Sequence, residues 1–323
     1  MADQGRLSVT CAWEVPPGAA GHRVDAFVRR CLPHLSLREA RRAIEEGAFW
    51  LDDRPARKGN RVFPGSILSL KGFSHLLAES PIPAADLEVP ILYEDDSVLA
   101  LDKPAGIATH GFSGRQSYTV ANFLAAARPT LVGVGMNRWE VGLVHRLDRD
   151  TSGIVLAAKD QDAFDHLRAQ FRRAAVGKYY WALARGKAED ERLIAAPLMR
   201  EPGDPRKMKP VAEAGKRGQR ARKWRAWTRF QRVAYARGYS LLRVEIGTGV
   251  THQIRVHLAS IGHPLAGDPL YGEGRDGPVG IGRLFLHACS LTFRHPRDDR
   301  EITLASPLPP ELKNILRRLK IKL

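Results

Sequence analysis

The sequence predicts an α+β protein, with a small N-terminal α+β domain and a larger domain on a mixed, mostly antiparallel sheet with flanking helices. The chain has 323 residues, which suits about two domains of ordinary size. A segment rich in proline and alanine, residues 76–88, is typical of a linker. Beyond it, strand-like runs do not alternate regularly with long helices, which argues against a doubly wound sheet. We therefore expect an extension (1–21), a small domain (22–75), the linker and a large domain (89–323).

The small domain contains the pattern of an amphipathic helix. Ser36 and Glu39 have the spacing of a capping box, in which each side chain bonds a backbone N–H at the helix start. Gly47 can supply the left-handed turn at the helix end. The apolar positions share one helical face: Leu37, Ala40 and Ile44. The arginines lie largely on other faces: Arg38, Arg41 and Arg42.

Short strands follow this helix. Residues 48–51 indicate a strand, 52–55 a turn and 66–70 a second, alternating strand. The pattern resembles the alpha-L RNA-binding domain shared with ribosomal protein S-four, in the stretches 22–25, 32–33, 44–47 and 61–65. The resemblance implies that this domain binds RNA, with the three arginines as candidate contacts.

The charge balance also points to a polyanionic partner. The chain has 51 Lys+Arg against 35 Asp+Glu, a formal net charge of +16. Such an excess favours nucleic acid, although a solvated basic surface without a fixed partner is the alternative. The positive charge is concentrated in residues 206–229, which contain ten Lys/Arg and one acid. The same stretch contains two tryptophans, Trp224 and Trp227, which could stack on bases or face the core. The candidate contacts here are Lys216, Arg217, Arg220, Arg222 and Lys223.

Cysteine usage and hydropathy bound the environment of the protein. The three cysteines are far apart in sequence and form no CxxC pair, so neither a disulfide framework nor a thiolate zinc site is indicated. No apolar run approaches the ~20 residues that span a bilayer, and residues 1–13 lack a signal-peptide core. We expect a cytoplasmic protein without a membrane or metal partner, and nothing in the sequence requires more than a monomer.

A dense polar segment is the first candidate for chemistry. Residues 145–152 lie between two apolar, strand-like runs, 141–144 and 153–158. Polar loops on a rigid scaffold often present reactive groups, although a salt-bridged turn would have the same composition.

A second segment, residues 249–262, indicates a helix. Thr251 can cap it, and Gly262 can end it. Three apolar residues share one face: Ile254, Leu258 and Ile261. Arg255 then lies in the first turns, where it could reach a carboxylate, lower the pKa of that group and orient it with two hydrogen bonds.

Both segments closely resemble motifs of RluA-type RNA pseudouridine synthases. Residues 145–153 resemble the family signature, and residues 249–272 resemble a later motif. Three further stretches agree in the family's order: 102–106 with His110, 178–183, and 286–288 before 295–296. Together they cover most of residues 90–300, and five motifs in order make the resemblance specific.

The resemblance implies an isomerase that converts uridine to pseudouridine in RNA without a cofactor. Asp148, and not Asp150, would be the essential carboxylate, with Arg255 as its ion-pair partner. Tyr180 would pack against the base and could take part in proton removal at C5. Arg146 would hold the RNA with the uridine extruded. The appended alpha-L domain favours large-subunit ribosomal RNA as substrate, and transfer RNA stays open.

The sequence departs from the family pattern at one position. Val250 stands where relatives usually carry Arg or Lys, which puts a local RNA or fold contact in doubt. The neighbouring Tyr179 leaves the base-packing residue open by one position, and Lys103 is expected to support the fold.

Two rival functions use the same residues differently. A non-catalytic RNA-binding or ribosome-assembly protein would need only the basic surfaces. A metal-dependent RNA hydrolase would need imidazole ligands, but no HExxH or similar spacing is present. The histidines available for such a site are His145, His252, His257, His263 and His287.

Overall fold

The computed structural model describes residues 9–111, 117–211, 222–272, 274 and 280–323. These residues form two compact units, one over 9–82 and the other over the described residues from 83 onward. Lys216, Arg217 and Arg220 lie outside the described residues. No helix in the described ranges combines the length and the apolar character needed to cross a bilayer.

The first unit is a four-stranded antiparallel sheet with two helices. Its strands are β1 (Val9–Glu14), β2 (Phe49–Leu51), β3 (Arg54–Pro55) and β4 (Ile67–Lys71), and its helices are α1 (Val24–Cys31) and α2 (Leu37–Glu45). The strand order is β1-β4-β2-β3. Phe49, Leu68 and Leu70 are completely buried and form its core with Val28 and Ile44.

The capping box that begins α2 is confirmed. Ser36 Oγ accepts from the Glu39 N–H at 3.2 Å, and the Glu39 carboxylate accepts from the Ser36 N–H at 2.7 Å. Gly47 has the expected left-handed φ of 80°. One residue of the expected apolar face, Leu37, is exposed, so the prediction is wrong at that position. The buried residues of α2 are Ala40, Ala43 and Ile44, and its buried face therefore does not include the first helical residue.

The second unit contains a long mixed sheet, a two-stranded ribbon and four helices among the described residues. The strands are β5 (Ile91–Glu94), β6 (Val98–Lys103), β7 (Ser152–Ala158), β8 (Gly177–Arg185), β9 (Glu191–Ile194), β10 (Leu198–Arg200), β11 (Met208–Pro210), β12 (Thr228–Ala236), β13 (Tyr239–Ile246), β14 (Leu286–Arg294) and β15 (Glu301–Ala305). The helices are α3 (Val120–Ala127), α4 (Gln161–Arg172), α5 (Gln253–Ser260) and α6 (Pro310–Leu319).

The sheet is mostly antiparallel, so the predicted fold class is confirmed. Its order is β5-β6-β7-β14-β8-β13-β12-β9, with β15 beside β14, and β10 pairs with β11 separately. Strands β7 and β14 are the parallel pair. Because side chains alternate along a strand, Leu99 and Leu101 of β6 pack with α3 and α5, whereas Val98 and Ala100 pack with α4.

The expected strand over residues 141–144 is wrong. Val141 and Gly142 have left-handed φ values of 48° and 77°, which extended backbone cannot contain. Leu143 alone forms a bridge, with Ala157. The segment is buried as expected, but it bends over the edge of β7 before the polar loop begins.

Candidate active site

The polar loop 145–151 ends where strand β7 begins, and Asp148 lies at its centre. Gly153 allows this strand to approach β14 closely. A Cβ at Gly153 would lie 2.2 Å from the carbonyl oxygen of Ala288, and the residue has a φ of 112°. Only glycine therefore fits where the loop enters the sheet.

Two buried side chains fix the backbone of the loop. Lys103 is completely buried, and its Nζ donates to the carbonyls of Pro104, Ile107 and Arg149 at 2.9, 2.8 and 3.0 Å. Burial lowers the pKa of Lys103 to about 7, whereas three acceptors match the three hydrogens of an ammonium group. Thr109 Oγ1 holds the loop from the other side, with two 3.0 Å bonds to the backbone of Leu147.

Asp148 is paired with Arg255, as expected. Arg255 Nη1 donates to Asp148 Oδ2 at 3.1 Å. The same guanidinium donates through Nε and Nη2 to both oxygens of Asp268, each at 2.8 Å. One arginine therefore bridges a buried carboxylate and a partly exposed one, since Asp268 is fully buried and the Asp148 side chain is 22% exposed.

The buried half of this network keeps its charges. Burial opposes the charge on Arg255, but its bonds to Asp268 and Asp148 outweigh that effect and raise the pKa of the guanidinium. Burial likewise raises the pKa of Asp268, but the bonds from Arg255 and from the N–H groups of Leu270 and Tyr271 lower it further, so the net shift is downward. A fixed positive charge thus faces Asp148.

Helix α5 presents Arg255, but the expected cap at Thr251 is wrong. Thr251 is exposed, and the helix is preceded by His252 in the left-handed conformation, with a φ of 56°. The side chain of Gln253 takes over the turn, because its Oε1 accepts from the Val250 N–H at 3.1 Å and from Thr248 Oγ1 at 2.7 Å. The carboxamide reaches further back than a threonine hydroxyl can.

Asp148 and Arg255 line an open cleft together with Arg146, Tyr180 and His252. Its apolar wall is formed by Leu147, Ile246, Val250, Ile254 and Leu286. The cleft therefore combines one carboxylate, cationic groups and an apolar surface.

Strand alternation separates the two neighbouring tyrosines. Tyr180 is 8% exposed and lies in the cleft, where burial raises the pKa of its phenol. Tyr179 lies on the opposite face of β8, with the Arg243 guanidinium 4.9 Å from its ring centroid. Of the two tyrosines that the sequence left as alternatives, Tyr180 is therefore the one that lines the cleft.

The candidate RNA contacts have different surroundings. Arg146, Arg38, Arg222 and Lys223 are exposed. In the first unit, Arg41 pairs with buried Asp25 at 2.7 Å and Arg42 pairs with Glu46 at 2.9 Å.

The two tryptophans of the basic segment are half-buried. Trp224 packs beside Leu198 and Met208, and the indole of Trp227 occupies the space that a side chain at Gly247 would need. Of the two possibilities, stacking on bases or facing the core, both tryptophans therefore follow the second.

The histidines are distributed among separate contacts. His145 stacks on Phe171 and accepts from the Leu156 N–H at 3.0 Å, and burial lowers its pKa to about 3. His257 bonds Thr228, and His287 bonds Ser152. Within the described ranges, no group of three or more His, Cys, Asp or Glu side chains is arranged to hold a metal ion.

Sequence reasoning missed the contacts of three residues of this site, and it considered His252 only as a possible metal ligand. Asp268 fixes Arg255, and Tyr271 and His252 contact each other at 2.9 Å beside Asp148. The signal available was the motif containing Asp268 and Tyr271, which follows α5. Its acid could have been considered as a partner for the arginine.

Comparisons with known proteins agree on one family. A family model described as RNA pseudouridylate synthase matches residues 97–260. A Chloroflexus aurantiacus protein named uncharacterized RNA pseudouridine synthase is 36% identical, over 99% of this chain and 98% of that protein. A Vibrio cholerae protein named ribosomal large subunit pseudouridine synthase C is 33% identical, over 95% and 96%. A Nitrosomonas europaea protein named ribosomal large subunit pseudouridine synthase D is 34% identical, over 95% and 87%.

A solved structure has a similar fold. Human RNA pseudouridylate synthase domain containing 4 superimposes with a TM-score of 0.57 at 25% identity. The match covers 72% of this chain and 94% of that chain.

Proposed function

Because this chain belongs to the RNA pseudouridylate synthase family and is therefore an isomerase acting on RNA, we propose that Asp148 is its catalytic carboxylate and large-subunit ribosomal RNA its substrate. The observation that carries the first proposal is the 3.1 Å pair between Asp148 and Arg255 at the wall of an open cleft. The names of the Vibrio and Nitrosomonas relatives support the second.

Pseudouridine formation needs a reactive carboxylate but no redox partner. The C1′–N1 bond of uridine breaks, the uracil turns, and C5 bonds to C1′; the C5 proton leaves and N1 takes up a proton, so the product is an isomer of uridine. An ionised Asp148 could attack C1′ or remove a sugar proton to give a glycal. Both require an oriented carboxylate, and Arg255 orients that of Asp148 through the 3.1 Å hydrogen bond. The reaction adds no group and changes no oxidation state, so we propose that it needs no cofactor.

The other wall groups suit an extruded nucleotide. Removing a base from its stack costs a few kcal/mol, which pocket contacts and phosphate contacts can offset. Tyr180 offers an aromatic surface to the uracil, and its hydroxyl is a candidate for assisting proton loss at C5. Arg146 is exposed beside Asp148 and can bind the RNA backbone at the mouth of the cleft.

We infer that residues 22–75 form an alpha-L RNA-binding domain. Arg38 offers an exposed guanidinium, whereas Arg41 and Arg42 would divide their contacts between RNA and their acidic neighbours. In the second unit, Arg222 and Lys223 are exposed and could follow the phosphate backbone, as could Lys216, Arg217 and Arg220.

The test uses two labelled substrates in separate reactions. Unmodified transcripts of large-subunit ribosomal RNA and of transfer RNAs carry [5-³H]uridine, whose tritium enters water when C5 bonds to the sugar. We expect release from the ribosomal transcript only, and modified positions would be mapped in the product. Release only from transfer RNA would contradict the substrate proposal.

Two variants of the same loop test the catalytic assignment. Asp148→Asn should abolish release, whereas Asp150→Asn, the same change two residues away, should stay within about tenfold of wild type. Comparable activity of both variants would contradict the role of Asp148.

A further inference from the structure

Two polar residues near Asp148 have no role in the mechanism above: His252, which lines the cleft, and Tyr271, its hydrogen-bond partner. His252 Nε2 lies 3.8 Å from Asp148 Oδ2, and His252 Nδ1 lies 2.9 Å from the hydroxyl of Tyr271. The His252 side chain is only 15% exposed. Tyr271 also contacts the rest of the network, because its ring lies 5.2 Å from the Arg255 guanidinium and its N–H donates to Asp268 at 3.1 Å. Tyr271 therefore contacts Arg255 and Asp268, the groups that hold Asp148, and His252 lies beside Asp148 itself.

The hydrogen bonds of Tyr271 favour one tautomer of His252. The Met208 N–H donates to the Tyr271 hydroxyl oxygen at 2.8 Å. Burial raises the pKa of Tyr271, so the phenol keeps its hydrogen at neutral pH. Among the described residues, the acceptor that lies within hydrogen-bond distance of this hydroxyl is His252 Nδ1, at 2.9 Å. A neutral imidazole that accepts at Nδ1 carries its hydrogen on Nε2, the nitrogen nearer Asp148.

The backbone conformation of His252 is a second observation, independent of its hydrogen bonds. Its φ of 56° is uncommon for a residue with a side chain, and no side-chain cap bond from His252 explains it. The Gln253 N–H donates to the Val250 carbonyl at 3.0 Å, so His252 is the third residue of the tight turn that leads into α5. Strained backbone that persists beside reactive groups is a reason to look for function. Here it directs the imidazole toward the carboxylate.

We propose that Tyr271 and His252 are positioning residues for Asp148, in which Tyr271 fixes the tautomer and His252 Nε2–H steadies the carboxylate once a nucleotide fills the cleft. The proposal rests on Asp148 being the catalytic group. The charged groups around His252 are Asp148, Arg255, Asp268 and Arg146. With Arg255 already beside Asp148, a neutral donor orients the carboxylate without adding a second cation, so the carboxylate remains reactive.

The test measures kcat and KM separately on the tritiated ribosomal transcript. His252→Ala should lower kcat about tenfold to hundredfold, as expected for a lost hydrogen bond to a charged group, with KM changed less than threefold. His252→Gln should recover at least tenfold over His252→Ala, because its amide can place an N–H near the Nε2 position. Tyr271→Phe should lower kcat less than His252→Ala.

The double variant separates positioning from general structural damage. If Tyr271 acts through His252, then His252→Ala combined with Tyr271→Phe should be no slower than His252→Ala alone. His263→Ala, which changes an imidazole after the other end of α5, is the matched control and should behave as wild type. Melting temperatures of all variants show that each one is folded.

The results also distinguish this proposal from the proposed function. Activity of Asp148→Asn would refute the catalytic assignment and this proposal together. An inactive Asp148→Asn with wild-type kcat in His252→Ala would overturn the positioning role alone. So would a folded His252→Gln as slow as His252→Ala, or a double variant in which the two losses multiply.

Discussion

Replacing Asp268 with asparagine tests how Arg255 is held. Asp268 is completely buried and accepts two 2.8 Å bonds from a guanidinium that is only 7% exposed. Asparagine keeps one acceptor oxygen but puts an NH₂ donor opposite a second donor. The substitution therefore removes the charge that balances Arg255 in the interior, and it changes almost no volume.

The expected cost follows from this burial. Breaking a buried ion pair by removing one partner costs about 3–5 kcal/mol, and we expect the lower end because Asp148 remains 3.1 Å from Arg255. For a unit of this size, 3 kcal/mol lowers the melting temperature by roughly 6–12 °C. Asp148→Asn should cost less than about 1 kcal/mol, because the Asp148 side chain is partly exposed and the Arg255–Asp268 pair survives.

Thermal unfolding and tritium release measured on both variants check this asymmetry. Asp268→Asn should melt well below wild type and keep reduced activity, since Asp148 is present but less well oriented. Asp148→Asn should melt near wild type and be inactive. The reasoning is refuted if Asp268→Asn melts within about 2 °C of wild type, or if Asp148→Asn is the less stable of the two.

Three further predictions concern the scaffold of the site. Gly153→Ala should cost several kcal/mol in urea unfolding, because its Cβ would lie 2.2 Å from the Ala288 carbonyl oxygen; a change below 1 kcal/mol would contradict that geometry. Lys103→Met leaves the carbonyls of Pro104, Ile107 and Arg149 without this donor, so we expect lower kcat and faster loop proteolysis, and unchanged values of both would contradict the role. The pKa of His145 is about 3 in the folded protein and about 6.5 unfolded, so its contribution is complete above pH 6.5 and is lost as pH falls toward 3, by up to about 1.4 kcal/mol per pH unit. His145→Gln should flatten this slope, and an unchanged slope would exclude His145 as its source.

Local patterns in the sequence predicted the fold class and the reactive loop. The capping box at Ser36 and the strand at residues 48–51 depend on neighbouring residues, so they could be identified without the fold. Asp148 and Arg255 are 107 residues apart, and their pairing was expected only through the family resemblance. Spacing alone contains no information about such a contact.

The predictions that differ from the structure also have identifiable physical causes. Residues 141–144 are apolar enough for a strand, but two left-handed residues bend them around β7. Thr251 is a good cap by type, but the longer Gln253 side chain competes for the same turn. The Met208 N–H reaches the Tyr271 hydroxyl only through tertiary packing, so the sequence contains no sign of this contact. The bend around β7 and the Met208–Tyr271 contact depend on distant parts of the chain, whereas the turn at Gln253 is local.

The most direct test of Asp148 compares binding and chemistry in one variant. Purified wild type and Asp148→Asn are each titrated with the large-subunit ribosomal transcript, and tritium release is then followed in a single turnover at saturating enzyme. We expect dissociation constants within about threefold and no measurable release from the variant, because the carboxylate acts on the sugar and contributes little to holding the RNA. Release from Asp148→Asn at a rate near wild type would contradict the account.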